Sequence, residues 1–196
     1  MQATGAYEAV VSIELAYDAL HRTQALLAYM KILDLRGPDA GRLLDESKRI
    51  YEQALSHFRL REFSIASEFA SASAGLAYCV EILFMRSLRS DSNYPTLASL
   101  PPKHDPEIRE TGKAEQDIEY IATLVAQLKL SLENASFLEE HRERVRRLVS
   151  WTEDLYEECK ALYQRGASED AMKVAEAAVW AGQSAEHLCK STWVVQ

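Results

Sequence analysis

Apolar positions recur along this chain every three or four residues, in stripes interrupted at a few short points, and that period belongs to helices rather than strands. The stretch from Phe63 to Leu83 organises the rest. Within it Ala66, Ala70, Ser73 and Ala77 stand four, three and four residues apart. That spacing sets four small side chains on one helix face, where another helix backbone can approach closely. A second row, Ala171, Ala175, Ala178 and Gly182, follows 105 residues later and aligns with the first without a gap. These eight positions are the expected packing seams.

The same periodicity predicts six helices. The first covers about residues 6–33, with Val10, Ile13, Tyr17, Leu20 and Leu27 in one stripe and Leu15, Ala19 and Leu26 in another. A stripe this wide implies contact on two sides, in the middle of a bundle or at a dimer interface. Arg36-Gly37-Pro38-Asp39 ends it, with Gly past the last turn and Pro opening the next helix. The second helix, about 39–62, carries Leu43, Ser47, Ile50, Ala54 and His57 inward. A short turn near Phe63 and Ser64 leads into the third, which ends near Leu88. Short connections make antiparallel neighbours, so residues 1–90 form an up-and-down three-helix unit.

Residues 91–112 hold four of the five Pro and lack helical period, which reads as an extended linker. Residues 113–196 form a second three-helix unit. Its first helix, opening near Thr111, bears Ile118, Ile121, Val125, Leu128 and Leu132 and stops around Asn134. Ser136-Phe137-Leu138-Glu139 is a capping box for the next. That helix points Leu148, Thr152, Leu155, Cys159 and Leu162 inward and ends at Gly166. Ser168 caps the last helix, with Glu169 and Asp170 in its favourable first turn. At the offset of 105, Leu43 meets Leu148, Ser47 meets Thr152, Tyr51 meets Tyr156, Phe58 meets Tyr163, and Glu81 meets Glu186. The expected fold is all-α, an internally duplicated up-and-down bundle, built as one continuous domain or as two lobes.

Composition agrees. With 196 residues the chain can bury a core without disulfides or metal, and 47% apolar with 27% charged residues is ordinary for a globular protein. The net charge of −8 is uneven: residues 1–90 hold 10 basic against 11 acidic residues, and the rest hold 12 against 19. Such a balance disfavours phosphate backbones as partners, so nucleic acid is not expected. Cys79, Cys159 and Cys189 are odd in number and form no CxxC pair, which reads as buried reduced thiols. MQATGAYEAV has neither the basic start nor the apolar centre of a signal peptide. Ser71, Ser73 and Glu81 interrupt the most apolar run, which is expected to fall short of a membrane span. A cytoplasmic location is expected.

Candidate chemistry is sparse. Glu14, Asp18 and His21 share a face of the first helix, but the Glu-x-x-His of a carboxylate-bridged metal site occurs nowhere, so no metal or other cofactor is expected. His57 occupies a core stripe where the second unit has Leu162. A buried imidazole needs a partner, which a Glu or Tyr of the first helix could supply. Residues 139–147 hold four Arg in six positions, and Arg142 with Arg146 on one face could grip a phosphate or carboxylate. Interleaved Glu140 and Glu143 favour a salt-bridged surface instead. Glu81 and Glu186 could form a carboxylate pair if both faced the bundle axis. No catalytic triad, phosphate-binding Gly loop or zinc spacing is present.

Tyr163, Gly166, Ala171, Ala175 and Ala178 resemble a tetratricopeptide-like helical hairpin, although the Trp-Leu-Gly start and closing Pro of that family have no counterpart. The pattern also resembles HEPN-like bundles. Nuclease members of that family place a His shortly after an Arg, whereas Arg49 and His57 here are eight apart, so the resemblance implies a fold without that nuclease site. The expected function is a non-enzymatic helical interaction or scaffold module that pairs with itself as a homodimer or with another protein. Trp151, Trp180 and Trp193 are candidate interface anchors. The alternative is a HEPN-like domain binding a small anionic ligand or nucleotide through His57, Arg142 and Arg146.

Overall fold

The computed structural model describes residues 2–32, 40–90, 114–134 and 139–193, which are helical apart from two short turns and contain no strand. Six helices follow in order: α1 (Gln2–Ile32), α2 (Ala40–Arg59), α3 (Phe63–Ser90), α4 (Ala114–Asn134), α5 (Glu139–Gln164) and α6 (Ser168–Trp193). The break expected at 36–39, the linker at 91–112 and the capping-box residues Ser136, Phe137 and Leu138 lie outside the described residues.

Two three-residue turns close the same way. After α5, Gly166 adopts φ +78°. Its N–H donates to the Tyr163 carbonyl, and the Ala167 N–H reaches back to Leu162, both at 3.0 Å. This is the left-handed closure that satisfies a helix's last carbonyls. After α2, Arg61 takes the left-handed place with φ 61°. Its N–H donates to Phe58 and the Glu62 N–H to His57, again at 3.0 Å. The turn therefore lies at 60–62, ahead of the position expected from sequence, because Leu-Arg-Glu contains no residue that announces a stop.

α3 and α6 form the middle of the bundle. α3 packs on α1, α2 and α6, while α6 packs on α3, α4 and α5. The first seam, Ala66, Ala70, Ser73 and Ala77, has no exposed surface. Its small residues admit α1 and α2. Ser47 Oγ donates to the Ser73 carbonyl at 2.8 Å, and Ser73 Oγ returns a bond to the Ser47 carbonyl at 2.9 Å. Thr23 Oγ1 of α1 contacts the Ala77 carbonyl at 3.2 Å. The second seam is equally closed: Ala171, Ala175 and Ala178 are wholly buried, and Gly182 is buried with them. A Cβ on Gly182 would lie 2.5 Å from Leu124 Cδ2 and 3.3 Å from Thr152 Cγ2.

The other side of α3 meets α6 running antiparallel, so that Glu68 pairs with His187 and Tyr78 packs on Trp180. Covered on both sides, α3 is apolar nearly all round. Against expectation, its span Phe63–Ser87 is long and apolar enough to cross a bilayer by length and composition, and 61% of its most apolar stretch is buried inside the bundle. One core cluster draws side chains from all six helices, and a smaller one joins α4, α5 and α6.

α2 and α5 bury most of the predicted lines, Leu43, Ser47, Ile50 and Ala54 in one and Leu148, Thr152 and Cys159 in the other, while His57, Leu155 and Leu162 are half-buried. α1 departs from expectation in part, for Ala19, Leu20, Ile13 and Leu27 of the expected stripes do face the core. Its buried line is Ala9, Ala16, Ala19, Leu20 and Thr23, whereas Val10, Leu15 and Tyr17 are exposed. Val10 and Tyr17 lie on the outer face and Leu15 on a flank, while Ile13 and Leu27 join Leu20 on the core side.

Candidate functional site

Polar side chains gather where the end of α2, the start of α3, the start of α5 and the end of α6 meet. His57 Nδ1 donates to Glu62 Oε2 at 2.6 Å. Its ring stacks on Phe69 with centroids 5.0 Å apart, and the edge of His141 approaches the same Phe at 5.7 Å. His141 Nε2 donates to the Leu188 carbonyl at 2.9 Å, which fixes its tautomer. His187 Nδ1 donates to Glu68 Oε2 at 2.7 Å. Burial holds the His141 imidazole below its ordinary proton affinity. The neighbouring Arg144 and His57 push the same way, while the Leu188 carbonyl and Glu140 oppose them.

Behind the histidines lies a buried ion pair between α2 and α5. Arg144 Nε donates to Glu46 Oε1 at 2.8 Å, with both side chains less than a tenth exposed. Arg144 also donates to Gln53 Oε1, and Glu140 stands 3.6 Å from its guanidinium. Arg49 and Arg147 approach the Glu46 carboxylate from outside, at 3.6 and 3.5 Å. Among the described residues no Cα of α2 comes within 8 Å of one in α5, so these long side chains bridge a gap the backbones leave. Each charge of the pair meets the opposite charge and further hydrogen-bonding groups, as a buried ion pair requires.

His57 takes Glu62 of the turn as its partner, not a Glu or Tyr of α1. It is brought near α5 at His141, while Arg146 lies outside, half exposed and paired with Glu143. Arg142 is half-buried. The arginine that enters the protein from the 139–147 run is Arg144, and the sequence offers no local sign of it. Its partner Glu46 is 98 positions away. Glu81 and Glu186 do not pair with each other. Arg22 Nε holds Glu81 at 2.9 Å, and Lys190 holds Glu186 at 2.9 Å. Glu14, Asp18 and His21 are exposed, and no group of three potential ligands suited to a metal occurs among the described residues.

None of the three cysteines is in a disulfide, and all are buried. Burial pushes the Cys79 and Cys189 thiols up to about 12 and raises that of Cys159 as well, so they stay protonated at neutral pH. Trp151 and Trp180 pack half-buried against the core. The side chain of Trp193 lies outside the described set.

No family model, curated protein or solved structure matches the chain.

The second candidate site is the outer face of α1. Tyr7 is 71% exposed, Val10 39% and Tyr17 48%. Between and beyond them lie exposed Glu14, Asp18, His21, Ala25 and Ala28. Tyr17 is nonetheless placed by its neighbours. Its ring lies 4.2 Å from that of His21 and 6.4 Å from that of Tyr51 on α2. Aromatic side chains held in position at a surface lose little freedom on meeting a partner.

Proposed function

We propose that the chain is a non-enzymatic helical interaction module that acts as a homo-oligomer, with the outer face of α1 as its contact surface. The observation that carries this reading is the exposed row Tyr7, Val10 and Tyr17 on a helix whose opposite face is already buried. Rows of exposed aromatic and aliphatic side chains mark association surfaces. The internal repeat belongs to the same reading. Arg61 and Gly166, 105 positions apart, close equivalent turns, and the two seams occupy equivalent faces of the two central helices. The three buried reduced thiols suit a cytoplasmic setting.

Anion binding through His57, Arg142 and Arg146 has less support, because Arg146 is paired with Glu143 at the surface and His57 is engaged by Glu62. The test is light scattering on the untagged chain and on Val10→Glu and Tyr17→Glu over a concentration series. The wild-type chain associates, and each variant, with unchanged helical circular dichroism, weakens association by about tenfold or more. A wild-type chain that stays monomeric, or variants that associate equally well, would overturn the reading.

A further inference from the structure

We infer that two copies pair through α1 in antiparallel register, with Glu14 of each chain facing His21 of the other. This rests on the interaction reading above and specifies its partner and geometry.

The outer face of α1 is self-complementary in size and charge. Its exposed positions in order are Tyr7, Val10, Glu14, Tyr17, Asp18, His21, Ala25 and Ala28, with exposed Gln24 and Tyr29 along its two edges. The spacings of three and four keep Tyr7, Val10, Glu14, Tyr17 and His21 along one face of the helix. Along the centre of the row Tyr7 and Val10 come before the middle and Ala25 and Ala28 after it, with an acid, Glu14, and an imidazole, His21, on either side.

An antiparallel partner centred between Tyr17 and Asp18 sets Tyr7 against Ala28 and Val10 against Ala25, so bulk meets space at each end. The same register sets each Glu14 carboxylate against a His21 imidazole, and each Tyr17 hydroxyl beside an Asp18 carboxylate. Imidazole–carboxylate pairs of this kind already occur twice within the chain, as His57 with Glu62 and His187 with Glu68. A parallel pairing would do the opposite. It would bring Tyr7 onto Tyr7, Glu14 onto Glu14 and His21 onto His21. Like charges opposed across an interface act against that arrangement. The 22 residues from Tyr7 to Ala28 extend about 33 Å, the length of a substantial two-helix contact.

Cysteine cross-linking under mild oxidation tests the register, since all three native thiols are buried. All replaced positions are exposed, and helical circular dichroism confirms that each variant folds. Tyr17→Cys is expected to form a covalent dimer rapidly, and Tyr7→Cys at least about tenfold more slowly. The double variant Tyr7→Cys with Ala28→Cys should cross-link efficiently. Rapid self-cross-linking of Tyr7→Cys would overturn the antiparallel register. A wild-type chain that dimerises while none of these variants cross-links would overturn this inference and leave self-association standing through another face. A monomeric wild-type chain would remove both.

Discussion

His57 and Glu62 hold each other twice: the Glu62 N–H donates to the His57 carbonyl at 3.0 Å, and His57 Nδ1 donates to the Glu62 carboxylate at 2.6 Å. The first bond closes the α2 helix and the second pins the turn that starts α3. The imidazole that replaces an apolar residue in the α2 stripe therefore serves the turn as well as the packing against Phe69. Replacing Glu62 with Ala removes the side-chain bond and keeps the backbone one. The expected loss is about 0.5–1.5 kcal/mol in urea unfolding.

The left-handed Arg61 gives a prediction of opposite sign. A side chain in that conformation costs about 1–2 kcal/mol, which Gly avoids, so Arg61→Gly should stabilise the chain by about 0.5–1 kcal/mol after its greater unfolded-state freedom is counted. Gly166→Ala, at the matching turn, should destabilise it by about 1 kcal/mol. The urea midpoints should move in opposite directions.

The Glu46–Arg144 pair predicts strong non-additivity. Glu46→Ala leaves the buried Arg144 to Gln53 and Glu140, and Arg144→Ala leaves the buried Glu46 to Arg49 and Arg147, so each should cost less than the roughly 3–5 kcal/mol of a fully stranded ion. Replacing both with well-packed Leu or Met should cost far less than the sum. Chemical denaturation of the two single variants and the double variant measures the coupling.

Acid should weaken the fold partly through His141. Its imidazole is held below its ordinary proton affinity, so the unfolded chain binds a proton more readily than the folded one. Stability from this group is then complete above about pH 6.5 and lost progressively as the pH falls below it. His141→Gln, which can still donate to the Leu188 carbonyl, should flatten the stability profile between about pH 7 and pH 5. An unchanged slope would show that other groups carry the acid sensitivity.

Legibility followed the local strength of each signal. The lines of α2 and α5 were readable because they are one-sided and built from Leu, Ile and Val among charged residues. The small-residue seams were readable because small side chains at that spacing suit close approach. α1 was legible only at Ile13, Leu20 and Leu27, because much of its buried line is Ala9, Ala16 and Ala19, which carry little hydrophobic signal, while its outer face carries Tyr7, Val10 and Tyr17. The Arg142–Arg147 run looked like a solvated face because its interleaved acids offer local partners. That Arg144 turns inward depends on Glu46, a residue of α2 that no nearby sequence pattern connects to it. The turn at Arg61 gave no sign because Arg is a strong helix former.

Self-association is tested most directly by native mass spectrometry of the untagged chain at micromolar concentration. A species at twice the 22.1 kDa chain mass, dissociating on Tyr17→Glu, is the predicted result. A single species at 22.1 kDa, unchanged as concentration rises, would contradict it.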